Sequence, residues 1–216
     1  MKIIFSSLLI LACNLGILSC GNKSEEKKAP VEMPATTKKP DTAAVSGNIV
    51  SPYPPPDISP MDMCYYPVNY PQIKMTNAAL KAPLARVIYS RPHLQGRKLF
   101  AGILTYGEPW RLGANEATEL DLYSDVTIQG KKIKPGRYVL YCIPEAAKWT
   151  IVFNTNIDTW GLHPDPAKDV ARFTVPSKEI STHLEYLTIF FEKGNKNTEL
   201  IMAWDNTEAR LPMSFN

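Results

Sequence analysis

The chain has 216 residues, 44% hydrophobic and 21% charged, with 24 basic against 21 acidic residues and a formal net charge of +3. That is the composition of one globular domain with an appendage, and it excludes a disordered, collagenous or multi-pass membrane protein. The even charge balance, without a clustered basic stripe, argues against nucleic acid as a partner. Ten of the nineteen prolines precede residue 72, so much of the first third is expected to lie outside the packed domain.

Met1-Lys2 opens an apolar run from Ile3 that ends in the small residues before Cys20. One positive charge, a short apolar stretch and small residues make the pattern of a secretory signal peptide over residues 1–19. The run falls short of the roughly 20 consecutive apolar residues of a membrane span. Ile17-Leu18-Ser19-Cys20 resembles a bacterial lipobox, in which a cysteine thiol beside a small residue is acylated and cleavage occurs just before it. The reading is a lipidated Cys20, with membrane contact through acyl chains that contribute roughly 0.8 kcal/mol per buried methylene. Glu25-Glu26 follows within a few residues and resembles the surface-export signal of Bacteroidota lipoproteins, which predicts the outer membrane, facing outward. From there to residue 57 the chain is rich in Pro, Thr, Ala, Ser and Lys. So little apolar surface cannot offset ordering entropy, so residues 20–57 read as a tether, stiffened by polyproline at Pro54-Pro55-Pro56.

Residues 58–216 read as the domain. Leu84–Tyr89 and Lys98–Leu104 are apolar runs of strand length, and Glu119–Tyr123 alternates polar and apolar with the period of a half-buried strand. Val126–Ile128 and Lys132-Ile133 flank Gln129-Gly130-Lys131, a hairpin turn in which glycine supplies a positive φ. Further strands are predicted over Arg137–Ile143, Trp149–Phe153, Ala171–Val175, Glu185–Phe191, Leu200–Trp204 and Ala209–Phe215. Short strands without a long helical period predict an all-β, antiparallel β-sandwich or jelly-roll-like domain. About 150 residues bury near 70% of the surface an unfolded chain exposes, so the core needs no metal or staple. The four tryptophans (110, 149, 160 and 204) are its expected filling. Once Cys13 is cleaved off and Cys20 acylated, Cys64 and Cys142 remain. They are either a disulfide, contributing roughly 4 kcal/mol on the loop-entropy argument, or two separate buried thiols.

One stretch is dense in chemistry: Trp110-Arg111-Leu112-Gly113-Ala114-Asn115-Glu116-Ala117-Thr118, with Tyr89-Ser90-Arg91-Pro92 and Gly96-Arg97 upstream. Together with Gly136-Arg137-Tyr138, Trp149, Asn154, Trp160-Gly161 and Asp169-Val170, it resembles an uncharacterised bacterial family, domain of unknown function twenty-nine eleven. The resemblance runs from about Ser59 to Phe215 and implies a secreted or lipidated Bacteroidota protein, but no activity. Leu162-His163-Pro164 departs from it, since relatives more often carry an aromatic residue before an aspartate.

Arginine forks bind carboxylates bidentately, so two readings of the motif stand. Arg91, Arg111, Asn115 and Glu116, with Trp110 or Trp160 as a stacking platform, line a pocket for a glycan or small anion. Alternatively, Arg111, Glu116 and Asn115 form a buried network that fixes an irregular loop. Glu116 with Glu119, or Glu116 with Asp169, is the candidate acid and base pair for glycoside hydrolysis. No Gly-x-Ser-x-Gly elbow, phosphate loop or dinucleotide fingerprint is present, and the scattered histidines 93, 163 and 183 give no metal pattern. The expectation is therefore an accessory or interaction module of an integral outer-membrane protein, without cofactor or metal and leaning away from catalysis, with a carbohydrate-acting hydrolase as the least favoured reading. Ligand binding is the alternative.

Overall fold

The computed structural model describes residues 54–194 and 197–215. The signal peptide, Cys20 and most of the tether lie outside these residues. Nine strands form a single antiparallel sheet: β1 (Met61–Tyr66), β2 (Ala85–Ser90), β3 (Thr118–Leu122), β4 (Val126–Ile128), β5 (Lys131–Ile133), β6 (Gly136–Pro144), β7 (Lys148–Asn154), β8 (Asp169–Lys193) and β9 (Thr198–Phe215). Their order across the sheet is β1-β2-β3-β6-β7-β8-β9-β4-β5. The predicted all-β antiparallel class is what forms, as one continuous open sheet.

The length of β8 shapes the molecule. Its first residues pair with β7, from Asp169 opposite Asn154 to Pro176 opposite Lys148, and from Ser177 onward it pairs with β9 instead. Register shifts between Glu179 and Thr188 interrupt the β8–β9 ladder, and Asp205 opposite them sits at φ 56°. Such irregularities bend a strand and add twist. The sheet thereby folds back on itself, and β9 ends against β4, with Phe215 opposite Val126. Side chains from distant strands meet inside. Tyr66 of β1 packs on Phe191 of β8 and Phe215 of β9, with ring centroids 6.0 and 5.1 Å away. Phe153 of β7 meets Phe173 of β8 edge-on at 5.4 Å. Trp149 and Trp204 are fully buried, whereas Trp160 is 53% exposed.

The strands that alternate or run apolar in sequence form close to where their pattern places them, because burial on one or both faces is what such patterns provide. Gln129 and Gly130 both take positive φ (47° and 78°), the backbone of a two-residue hairpin turn. Two predicted pairs of strands prove to be halves of β8 and β9. The predicted strand Lys98–Leu104 does not form. There the Leu99 carbonyl accepts from the amides of Ile103 and Leu104, and Ala101 takes φ 67°. Leu99 and Leu104 are buried by this coil, so the apolar run reflects anchoring rather than pleating. Helix α1 (Tyr70–Thr76) escapes a pattern search because it buries no residue.

The cysteine pair resolves to two free thiols. Cys64 lies on β1 and Cys142 on β6, with β2 and β3 between them. Three strand spacings make about 14 Å, against the roughly 7 Å beyond which no disulfide closes. Burial pushes the Cys64 thiol up to about 12 and raises Cys142 well above its ordinary value, so both are unreactive side chains.

Candidate ligand-binding site

The motif forms a folded-back loop that crosses the sheet before entering β3. Trp110 exchanges backbone hydrogen bonds with Cys142 of β6 (2.7 and 2.8 Å). Farther on, the Thr118 hydroxyl donates to the Leu112 carbonyl at 2.8 Å. Leu112 and Asn115 both hold positive φ, 56° and 57°, a conformation that costs roughly 1–3 kcal/mol per non-glycine residue and clusters at functional sites. The loop around Trp160 closes against it. The Ala117 amide donates to the Thr159 carbonyl, and Gly161, at φ 76°, lies so close that a β-carbon there would stand 2.7 Å from the Ala117 β-carbon and 3.1 Å from that of Arg111. Only glycine meets both demands.

Beside these loops is a cavity of about 330 Å³. Its apolar lining includes Ile103 and Leu104 of the coil, Pro109, Trp110, Leu162, and Trp204 of β9. Its charged lining is Arg97 and Arg111, and no carboxylate among the described residues lines it. Trp110 stacks on Trp204 at 5.8 Å and meets Trp149 edge-on at 6.0 Å, while its indole N–H donates to the Gly113 carbonyl at 3.2 Å. The wall is therefore rigid.

The chain has seven arginines, and the structure divides them. Arg86 and Arg137 pair with Asp121, Arg91 with Asp62, Arg172 with Asp169, and Arg210 with Glu192, Glu199 and Glu208. Arg97 and Arg111, the two that line the cavity, pair with no carboxylate among the described residues. Arg97 is tethered by hydrogen bonds from Nε to the Leu94 carbonyl and from Nη2 to the His93 carbonyl, each 2.9 Å. Arg111 donates from Nη1 to the Trp160 carbonyl at 3.3 Å, and its guanidinium lies over the Trp160 ring at 5.7 Å. Burial lowers its pKa from the ordinary arginine value, offset in part by the charge of Glu116. It is a partly desolvated cation without a contact anion.

The other predicted site residues separate. Glu116 is exposed and makes no hydrogen bond or ion pair among the described residues, so the expected Arg111–Glu116 bridge is not formed. Asn115 turns away to donate to Asp57, which in turn accepts from the Ser59 amide at 2.7 Å. This ties the chain entering the domain to the loop. Arg91 is structural: it donates to the Leu187 carbonyl at 2.9 Å, to Thr188 Oγ1 at 2.8 Å and to Asp62 at 3.2 Å. Asp169 accepts from Tyr141, Asn154 and Arg172 at 2.6–3.1 Å. That leaves it no role as a free acid or base, and no described cavity holds it together with Glu116. Burial, and after it the hydrogen bond to Asp169, pushes the Tyr141 hydroxyl up to about 12. Arg97, Ile103, Leu104 and Trp204 were not among the predicted site residues. Arg97 stands in a recognisable Gly-Arg pair, but nothing local marks a tryptophan on β9 as part of the same wall.

A family model described as "Protein of unknown function (DUF2911)" matches residues 71–213, and the chain belongs to that family. Neither the curated proteins nor the solved structures contain a match.

Proposed function

We propose, for this member of a family whose description assigns no activity, a lipid-anchored protein of the outer cell surface whose β domain binds a small organic anion in the cavity between Arg97 and Arg111. One observation carries the reading. Every arginine outside the cavity has a carboxylate partner, while the two inside have none among the described residues. Arg97 is exposed but Arg111 is partly buried; a partly buried cation is costly unless paired, and a ligand carboxylate or phosphate supplies that partner. Strained backbone at Leu112 and Asn115 adds support, since such strain is kept where geometry serves a site. A glycan draws less support, because Asn115 and Glu116, which would serve sugar hydroxyls, do not line the cavity. The candidate acid and base pairs draw none, because Asp169 is spent in a closed network, Glu119 lies 3.6 Å from Arg137, and Glu116 stands outside the cavity.

The test is calorimetric titration of the domain with benzoate, acetate and inorganic phosphate. Arg111→Met keeps most of the apolar stem and removes the fork. Losing charge-assisted hydrogen bonds of roughly 1.5–3 kcal/mol is expected to weaken binding about 10- to 150-fold. Equal affinity in the variant would place the ligand elsewhere. The anchor is tested separately. Cys20→Ser is expected to release the full-length protein from the membrane fraction, and a variant that still pellets with outer membrane would make the acyl chain dispensable.

A second reading, an accessory module resting on an integral outer-membrane protein, is favoured by a different surface. Among the described residues edge strand β1 pairs with β2 alone, and Met61, Met63 and Val68 are 63%, 48% and 56% exposed, with the exposed Phe190 beside Met63 in one groove. Affinity purification of the full-length protein in mild detergent tests it. Stoichiometric co-purification of an integral outer-membrane protein is the supporting result.

A further inference from the structure

We propose that the ligand of this cavity is a flat, apolar carboxylate, an aryl or conjugated acid whose body lies against Trp110 and whose carboxylate meets Arg111, rather than an inorganic anion or a hydrophilic acid. The inference rests on the anion-binding reading above and adds the class of ligand.

Volume is the first argument. The cavity, about 330 Å³, equals about eleven water volumes at roughly 30 Å³ each. A phosphate or acetate would leave most of it filled with water against apolar side chains. The lining is the second. Apart from Ser59 and the two arginines, every lining residue is apolar or glycine, so few side-chain partners are there for a row of hydroxyls. A ligand rich in hydroxyl groups would lose hydrogen bonds to water without replacing them. Pockets of this kind use a few placed polar groups to orient a mainly apolar ligand.

The third argument is the geometry of the charge. Arg111 spends Nη1 on the Trp160 carbonyl, and its Nε and Nη2 donate to no acceptor among the described residues. Those two N–H groups form one edge of the guanidinium, the edge that takes a carboxylate through two parallel hydrogen bonds. Arg97 has Nε and one Nη2 proton engaged by backbone carbonyls, so it contributes as a positioned charge with Nη1 in reserve. One full fork beside an indole wall suits a planar monocarboxylate. The buried Trp204 stacks behind Trp110 with the two planes 27° apart, which holds the Trp110 ring in place.

The experiment titrates the full-length protein with 2-naphthoate, its neutral isostere 2-naphthamide, acetate and inorganic phosphate, read by calorimetry and by quenching of tryptophan fluorescence. Naphthoate is expected to bind about 100-fold more tightly than acetate or phosphate because its rings bury apolar area. It is expected to exceed naphthamide by about 10- to 100-fold because only the acid uses the fork. Arg111→Lys, which keeps the charge and removes the fork, should lose most of the acid-over-amide preference while naphthamide affinity holds. Acetate or phosphate binding as tightly as naphthoate would overturn the ligand class and leave the anion-binding reading intact. Equal binding of acid and amide would overturn both, as would no binding by any of the four.

Discussion

Trp204→Ala is expected to lower the unfolding free energy of the domain by about 3–5 kcal/mol, the range for truncating a fully buried tryptophan. Trp204 has no exposed surface. It stacks on Trp110, and its indole N–H donates to the Glu185 carbonyl at 3.1 Å. Alanine would open a cavity, strip Trp110 of its partner and remove one of the two hydrogen bonds to that carbonyl, which keeps the Leu94 amide at 3.0 Å. With a slope near 2 kcal/mol per molar urea, the midpoint of denaturation should fall by about 2 M at unchanged slope. Trp160→Ala is the matched control. Its ring is 53% exposed, with the Arg111 guanidinium over it, so it should cost under about 1 kcal/mol. Similar losses from both variants would refute this division of the tryptophans.

Arg210→Met is expected to cost about 2 kcal/mol at pH 7, and the cost should shrink in acid. Arg210 holds both oxygens of Glu208, at 2.6 and 3.2 Å, and reaches Glu192 and Glu199 at 2.5 and 3.0 Å. The Glu208 side chain is 10% exposed while that of Arg210 is 31% exposed. Breaking a buried pair costs about 3–5 kcal/mol, and the solvent around Arg210 reduces that figure. Lys178 at 3.0 Å keeps part of the compensation. The hydrogen bond from Arg210 holds the Glu208 carboxyl below the usual glutamate range. A carboxyl depressed in the folded state contributes stability that is complete above its unfolded value, near 4.3, and is lost as pH falls through its folded value. Wild type should therefore lose stability below about pH 4 more steeply than the variant, narrowing the gap between them to under about 1 kcal/mol near pH 3. Urea denaturation at the two pH values reads this, and a gap that stays constant or widens would show that Arg210 acts through packing instead.

Much of the fold is legible in the sequence because alternation is a local property. Glu119-Leu120-Asp121-Leu122 announces one buried and one polar face whatever its neighbours are, and Gln129-Gly130 announces a hairpin turn by backbone preference alone. The run Lys98–Leu104 misleads for the same reason. Buried leucines at its ends and a tight turn between them carry the composition of a strand without its pairing. Edge strand β1 and helix α1 leave little trace, since one is half-exposed and the other buries nothing.

The site divides along the same line. Its address, the Trp-Arg-Leu-Gly-Ala-Asn-Glu stretch, stands out in one dimension because glycines and charged groups are crowded together there. Which of those groups face one another does not. Arg111 and Glu116 are near neighbours in the chain and do not pair, whereas Arg97, Arg111 and Trp204 come together from three separate segments. The sequence by itself determined the β architecture, the position of the loop and the supply of arginines and tryptophans. Only the tertiary structure decided which tryptophans are buried, which arginines find carboxylates and which two are left facing a cavity. Ion pairing and burial depend on what the folded sheet brings within a few ångströms, and that distance is set by the bend in β8 rather than by any spacing along the chain.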